Sequence, residues 1–336
     1  MTMKHIFLKL IAIALLAALS AVANASSHTG HSGLNADGEV PLLMPGTKMP
    51  FKLWEVEQVA ENVYTFRYSF YRNFFVVTDE GVIATDPLSA EAGPIMQREI
   101  RKITDKPVKY VAYSHSHYDH VAGGQVFKDE GAAFISQETC KANLEENPNP
   151  DVVMPDVTFD DYYKIELGGD AVELFYFGPS HDNCLVVMLI ESSNQLFLTD
   201  LANPPDGWTM FYNPAISEDR PWHMVRYFTQ LQALVEERGI ETIIGGHMSG
   251  SFDPVTNRPM IVKGTTGPAT IVEQKFGLWK AVTSAARDEL ALGTAPEDVP
   301  DRIVEKGLLK DKISGYDPEK MRILMQRMTA LAITGE

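Results

Sequence analysis

Residues 115–120 read His115-Ser116-His117-Tyr118-Asp119-His120, directly after the apolar run Val108-Lys109-Tyr110-Val111-Ala112-Tyr113. Three imidazoles and one carboxylate in six positions offer the nitrogen and oxygen donors that suit a borderline cation such as zinc. A strand ending near Ser114 aims His115 and His117 the same way, because alternate residues of an extended segment share a direction. Asp119 and His120 lie one step further on, where the chain can turn into a helix through Val121-Ala122-Gly123-Gly124. The first pair then grips one ion while the second pair faces a neighbouring one. A lone histidine is usually a surface or packed core residue, but four ligand-type residues at this spacing leave that reading little room.

Three further candidates sit at the exits of short hydrophobic runs. His181 follows Ala171 to Phe177 and the turn Gly178-Pro179-Ser180, Asp200 closes Leu196 to Thr199, and His247 follows Ile240 to Ile244 and Gly245-Gly246. Singly, each has a plain alternative: a turn at Asp200, a helix cap at His181 and Asp182, a packed loop at His247. Taken with the hexapeptide, they form one ordered set that a sheet can gather along a single edge.

His115, His117, Asp119, His120, His181, Asp200 and His247 resemble the ordered ligand set of the metallo-β-lactamase superfamily, whose H-x-H-x-D-H signature the hexapeptide carries. The likeness runs from about Phe51 to Gly250 and includes Asp86, similar to the family's buried aspartate below the site. It implies an α/β fold, the αββα sandwich of two packed sheets covered by helices. It also implies two zinc ions per chain. His115, His117 and His181 would hold one, Asp119, His120 and His247 the other, with Asp200 bridging and Asp86 orienting an imidazole. The activity implied is hydrolysis of an ester, lactone, thioester or amide bond in a small molecule by a metal-bridging hydroxide. Asp119 would serve as the catalytic proton carrier.

Two departures sort the branches. Flavodiiron members usually carry Glu where this chain has His117, and lactamases proper usually carry Cys or Ser where it has Asp200. A bridging Asp is more like the thioesterase, lactonase and phosphodiesterase branches. A β-lactamase remains the first alternative. A mononuclear iron persulfide dioxygenase using His115, His181 and Asp200 is another, opposed by the presence of Asp119, His120 and His247. A non-catalytic metal-binding protein is the last.

The chain opens with Lys4 and Lys9 around a mostly apolar stretch from Ile6 to Ala23, and Ala23-Asn24-Ala25 supplies small residues for cleavage. Residues 1–25 therefore read as a secretory signal peptide, giving a periplasmic or secreted protein with no stable membrane insertion after cleavage. Loss of Lys4 and Lys9 takes the formal charge from −16 to −18. That charge repels polyanions, so nucleic acid is excluded as a partner in favour of a small-molecule substrate. Cys140 and Cys184 are too few for a disulfide scaffold. They fit either a pair or two buried thiols, since sequence does not fix their separation.

Residues 26–50, rich in Ser, Gly, His and Pro, read as a flexible leader. A catalytic domain is expected over 51–267, with strands at 63–68, 74–78, 81–85, 171–177, 184–191 and 195–199. Helices are expected over 91–103 and 222–238 and irregular loops over 147–161 and 201–221. Residues 268–336 read as a helical extension serving as an outer layer or a homodimer surface. Two loops flank the expected site. Tyr68 to Asn73 resembles the family's mobile aromatic flap, and Trp208, Phe211, Tyr212 and Trp222 offer an apolar wall. His223 reads as a helix-start residue or a proton donor.

Overall fold

Strands that read as unbroken apolar runs are those a fold buries on both faces, and Val186–Ile190 shows how this chain does so. Val186, Met188 and Ile190 enter a core lying between two sheets, whereas Val187 and Leu189 face a second core on the outer side. A computed structural model describes residues 52–202, 221–252, 259–262, 264–312 and 316–335. The expected signal peptide, the leader, and Trp208, Phe211 and Tyr212 lie outside the described residues.

The first sheet runs in chain order: β1 (Trp54–Ala60), β2 (Val63–Tyr68), β3 (Tyr71–Val77), β4 (Val82–Thr85), β5 (Val108–Ala112), β6 (Ala133–Gln137) and β7 (Val157–Phe159). Its first four strands pair antiparallel and the rest parallel. Parallel neighbours need crossovers. Helix α1 (Ala92–Ile103) supplies one, the short α2 (Tyr118–Val121) and α3 (Gln125–Lys128) the next, and α4 (Glu138–Glu146) the third.

The second sheet contains β8 (Tyr162–Leu167), β9 (Asp170–Tyr176), β10 (Val186–Ile190), β11 (Gln195–Leu198), β12 (Thr242–Gly245) and β15 (Thr266–Pro268), in the order β15-β12-β11-β10-β9-β8. Only β11 and β12 pair parallel, with α5 (Met224–Arg238) crossing between them. Strands β13 (Ser249–Phe252) and β14 (Pro259–Val262) form a separate hairpin.

Between the sheets, Phe74, Ile83 and Ile135 meet Leu174, Phe197 and Ile244. On the outer face of the first sheet, Ile95, Met96 and Ile100 of α1 pack on Phe66, Phe75 and Val111. On the outer face of the second lie α5, α6 (Thr270–Ala291), α7 (Val299–Glu305) and α8 (Pro318–Thr334). Trp279, Val282 and Leu324 from these helices share one core with Leu189 and Leu196. At about 1.5–3 kcal/mol for each fully buried large apolar side chain, this contact binds the C-terminal helices as a structural layer. The result is the αββα sandwich, and Trp54–Glu336 forms one compact unit.

The reading missed β1, whose Glu55 and Glu57 hide an edge strand behind charge. It also missed β8, β13, β14 and β15, and it placed the three-residue β7 inside the loop at 147–161. Very short strands carry too few alternations to register.

Candidate metal centre

Strands β5, β9, β11 and β12 all deliver their C-terminal ends to one edge of the sandwich, where their exits carry the hexapeptide, His181, Asp200 and His247. The hexapeptide is held from below. Asp86, buried at the end of β4, accepts a hydrogen bond from Ser114 N at 2.8 Å. Ser114 Oγ lies 2.9 Å from His115 Nδ1, which turns Nε2 of that ring toward Asp200. Asp86, expected to orient an imidazole, hydrogen-bonds Ser114, whose Oγ meets His115, and acts on His120 through charge. Burial raises the Asp86 carboxyl to about 6, against the pull of His120 and of Ser114.

After Asp119 and His120 the chain must turn back sharply. Gly123 allows this, with φ at +94° and a site so tight that a Cβ would fall 1.8 Å from Ser89 O. Leu88 N donates to His120 O at 2.8 Å, completing the dock.

His181 comes from the second sheet and needs a tie to the first. Asp182, buried beside it, accepts from Cys184 N at 2.7 Å and from Ser116 Oγ at 3.2 Å. Asn143 of α4 donates to Ser116 Oγ at 3.1 Å and to Asn183 Oδ1 at 2.6 Å. A disulfide between Cys140 and Cys184, with Cα atoms 5.2 Å apart, fastens the same loop to α4. Asp182→Ala strands the buried Cys184 N–H and removes the tie to Ser116, while the disulfide still holds the loop to α4. We expect a stability loss of about 1–3 kcal/mol by urea denaturation; a change under about 0.5 kcal/mol would show that the tie carries no load.

Asp200 and His247 each follow by two residues the ends of adjacent parallel strands paired in the register Leu198↔Gly245. Gly246 donates to Leu198 O at 3.3 Å, and its missing side chain makes room for Thr199, whose Oγ1 would lie 2.1 Å from a Cβ. Asp200 itself has φ at +59°, a conformation that Asp tolerates better than most residues and that clusters at functional sites.

The β2–β3 hairpin, expected as a free flap, is pinned. Arg72 N donates to Gly246 O at 2.7 Å, Met248 N donates to Phe70 O at 2.8 Å, and Tyr71 pairs with His247 in an antiparallel bridge. The Tyr71 ring packs edge-on to His247 and His120, with centroids 5.0 and 5.7 Å away. The aromatic wall on this side is therefore Tyr71. Trp222 is exposed beside His223, which closes the turn Pro221–His223. His223 lines, with Asp161, Tyr176 and Arg226, a cavity of about 500 Å³ whose walls include none of the seven candidate ligands.

The donors converge in two groups that share Asp200: His115, His117 and His181 with Asp200, and His120 and His247 with Asp200, each within 4.8 Å of one another. Asp200 Oδ2 lies 3.2 Å from His115 Nε2, 3.3 Å from His120 Nε2 and 3.7 Å from His181 Nε2, while Oδ1 contacts His247 Nε2. Asp119 stands apart. Its side chain is 45% exposed at the rim, with Oδ2 3.9 Å from His120 Nε2, outside both compact groups.

This arrangement fits cations. His117 Nδ1 faces His181 Nε2, and His120 Nε2 faces His247 Nε2, each pair at 3.2 Å. His115 Nε2 and Asp200 Oδ2 are buried without a hydrogen-bond partner among the described residues. Nitrogens aimed at nitrogens around a carboxylate with one buried oxygen are poorly served by hydrogen bonds alone, and a shared cation would satisfy them. Charge agrees. Burial opposes ionisation of Asp200, yet His247, His120 and His181 hold its carboxyl well below the usual range. Burial likewise opposes a charge on His120, but Asp200, Asp119 and Asp86 outweigh it and bring the imidazole up to about 9. His115 goes the other way: burial drives it well below its ordinary value, the neutral form a ligand requires.

Fold and site together define an αββα protein whose sheet edge carries a His/Asp cluster suited to metal. Residues 69–247 match the Metallo-beta-lactamase superfamily, and the chain belongs to it. It is 28% identical over 163 residues to a metallo-beta-lactamase type 2 of Elizabethkingia meningoseptica, covering 45% of this chain and only 59% of that enzyme. It is 21% identical over 258 residues to the 2,4-dinitroanisole O-demethylase subunit alpha of Nocardioides sp. (strain JS1661), covering 74% and 70%. Among solved structures, the metallo-beta-lactamase from Pontibacter korlensis superposes with a TM-score of 0.55 at 18% identity, covering 68% of this chain and 99% of that one. The DIM-1 metallo-beta-lactamase gives 0.53 at 19%, covering 68% and 97%. The two superpositions speak to the fold.

Ser114, Asp182 and Arg72, which carry the second layer of contacts, did not stand out in the sequence. Only Asp182 had a local signal, its place beside His181.

Proposed function

We propose that this chain is an exported dizinc hydrolase that opens an ester, lactone, thioester or strained amide in a small molecule. The observation that carries the reading is Asp200, one half-buried carboxylate shared by two groups of imidazoles. His115, His117 and His181 would hold one zinc, and His120 and His247 the other. Bound zinc supplies Lewis acidity and lowers the pKa of the water it binds to about 7.

The chain's own residues do the rest. Asp200 fixes the spacing of the two groups. Tyr71 packs edge-on against His120 and His247 and gives that side of the centre an aromatic wall. Asp119, exposed at the rim beside His120, is placed to take the nucleophile's proton and pass it to the leaving group. The apolar stretch at 6–23 and the cleavage-like Ala23-Asn24-Ala25 support export to the periplasm or beyond. The strongly acidic composition supports small, non-polyanionic substrates.

A β-lactam is the second reading, favoured by the name of the Elizabethkingia relative. The Nocardioides relative adds an aryl methyl ether to the compounds worth testing. The test is elemental analysis of the purified protein beside turnover of an ester, lactone, thioester, β-lactam and ether panel. Close to two zincs per chain and turnover of at least one carbonyl substrate are expected. Iron with oxygen uptake, or metal with no turnover at all, would overturn the reading.

A further inference from the structure

The four ligand-bearing exits belong to two different sheets, so the centre is only as well formed as the ties between them. Asp182 makes one tie, at His181. The other is at His247, and its strongest element is Arg72, the second residue of β3 in the opposite sheet. Its side chain is 4% exposed. Nη1 donates to His247 O at 2.9 Å and to Gly245 O at 3.3 Å, and Nη2 donates to Gly264 O at 3.3 Å. Its backbone N–H takes Gly246 O at 2.7 Å. One residue thus collects the carbonyls of Gly245, Gly246 and His247, and through Gly264 the approach to β15 as well.

No carboxylate forms an ion pair with Arg72 among the described residues. Its side-chain hydrogen bonds go to backbone carbonyls, with Glu57 and Glu55 acting on it only through charge, an expensive way to bury a cation if only packing were needed. The planar fork is what spans carbonyls lying in different directions, and an ammonium presents a single point of charge that cannot.

We propose that Arg72 is a positioning residue that sets His247 against His120 and Asp200, and so controls occupancy of that half of the centre. The inference rests on the two-metal reading above. Partners that orient a ligand from outside typically govern metal affinity by about 10–100-fold.

The test is a zinc titration of the full-length metal-free protein against a chromophoric chelator, comparing wild type with Arg72→Lys and Arg72→Met. Wild type is expected to take two equivalents. Arg72→Lys and Arg72→Met should keep one step unchanged, owed to His115, His117 and His181, and weaken the other by about 10–100-fold. Wild-type affinity at both steps in Arg72→Lys would overturn the proposal. So would equal weakening of both steps, which marks a general structural role.

If wild type takes fewer than two equivalents, the two-metal reading fails by itself. Arg72 is then judged in the metal-free protein by imidazole NMR. Arg72→Lys is expected to shift the His247 signals and leave those of His117 and His181 in place. Unmoved His247 signals would sink the proposal there too.

Discussion

Asp200→Asn is expected to lower bound zinc from two per chain to one or fewer and to cut hydrolysis by about 10²- to 10³-fold or more. The estimate follows from several kcal/mol of Lewis-acid stabilisation at about 1.4 kcal/mol per decade. The substitution keeps volume and changes charge, so it isolates electrostatics. In the metal-free protein Asp200 is the one carboxylate common to both groups, with imidazole nitrogens of His115, His120 and His181 between 3.2 and 3.7 Å from its Oδ2. Asn offers one carbonyl oxygen without charge and an NH₂ that repels a cation. His247 and His120 then lose the attraction that holds them toward the carboxylate. Elemental analysis with kcat/KM on the best substrate measures both consequences. A variant that keeps two zincs and full activity would show that Asp200 is not the shared anchor.

The second large effect concerns Asp119. Asp119→Ala is expected to reduce kcat by about 10²- to 10⁴-fold, the range for loss of a positioned proton carrier, while zinc content stays near two. The resemblance to family members makes Asp119 a ligand as well. The structure gives the two roles different weights, because the side chain lies at the solvent rim and outside the compact His120–Asp200–His247 group. Metal content separates them. A variant that loses one zinc together with activity identifies Asp119 as a ligand first. Retained activity removes it from proton handling altogether.

The contrast between the two positions reflects how the fold builds the centre. Asp200 is placed by strand register and by the close approach of Gly246 to Thr199, both rigid constraints. Asp119 occupies the single turn of α2, on the side away from the buried His120 and Val121, and its side chain is 45% exposed.

Much of this was legible in residues 115–120 and in the order of the later ligands. Ligand chemistry depends on side-chain type and local spacing, and both are written in the chain. The layers were legible too, since runs such as Val186–Ile190 announce burial on both faces. Edge and very short strands were not. Glu55 and Glu57 disguise β1, and β7 is three residues long. The contacts that steady the centre were also invisible, because Arg72 and His247 are 175 positions apart and Ser116 and Asp182 are 66 apart. An arginine in a strand looks like any exposed arginine until the opposite sheet closes over it.

The amino-acid sequence by itself determined which atoms can bind a cation and the order in which strands deliver them, because donor type and hydrophobic period are local properties. Tertiary structure alone decided that Asp119 stands at the rim, and that Arg72 and Asp182 bind the two sheets together. Those are facts of distance between segments remote in the chain, and only packing of one sheet upon the other sets them.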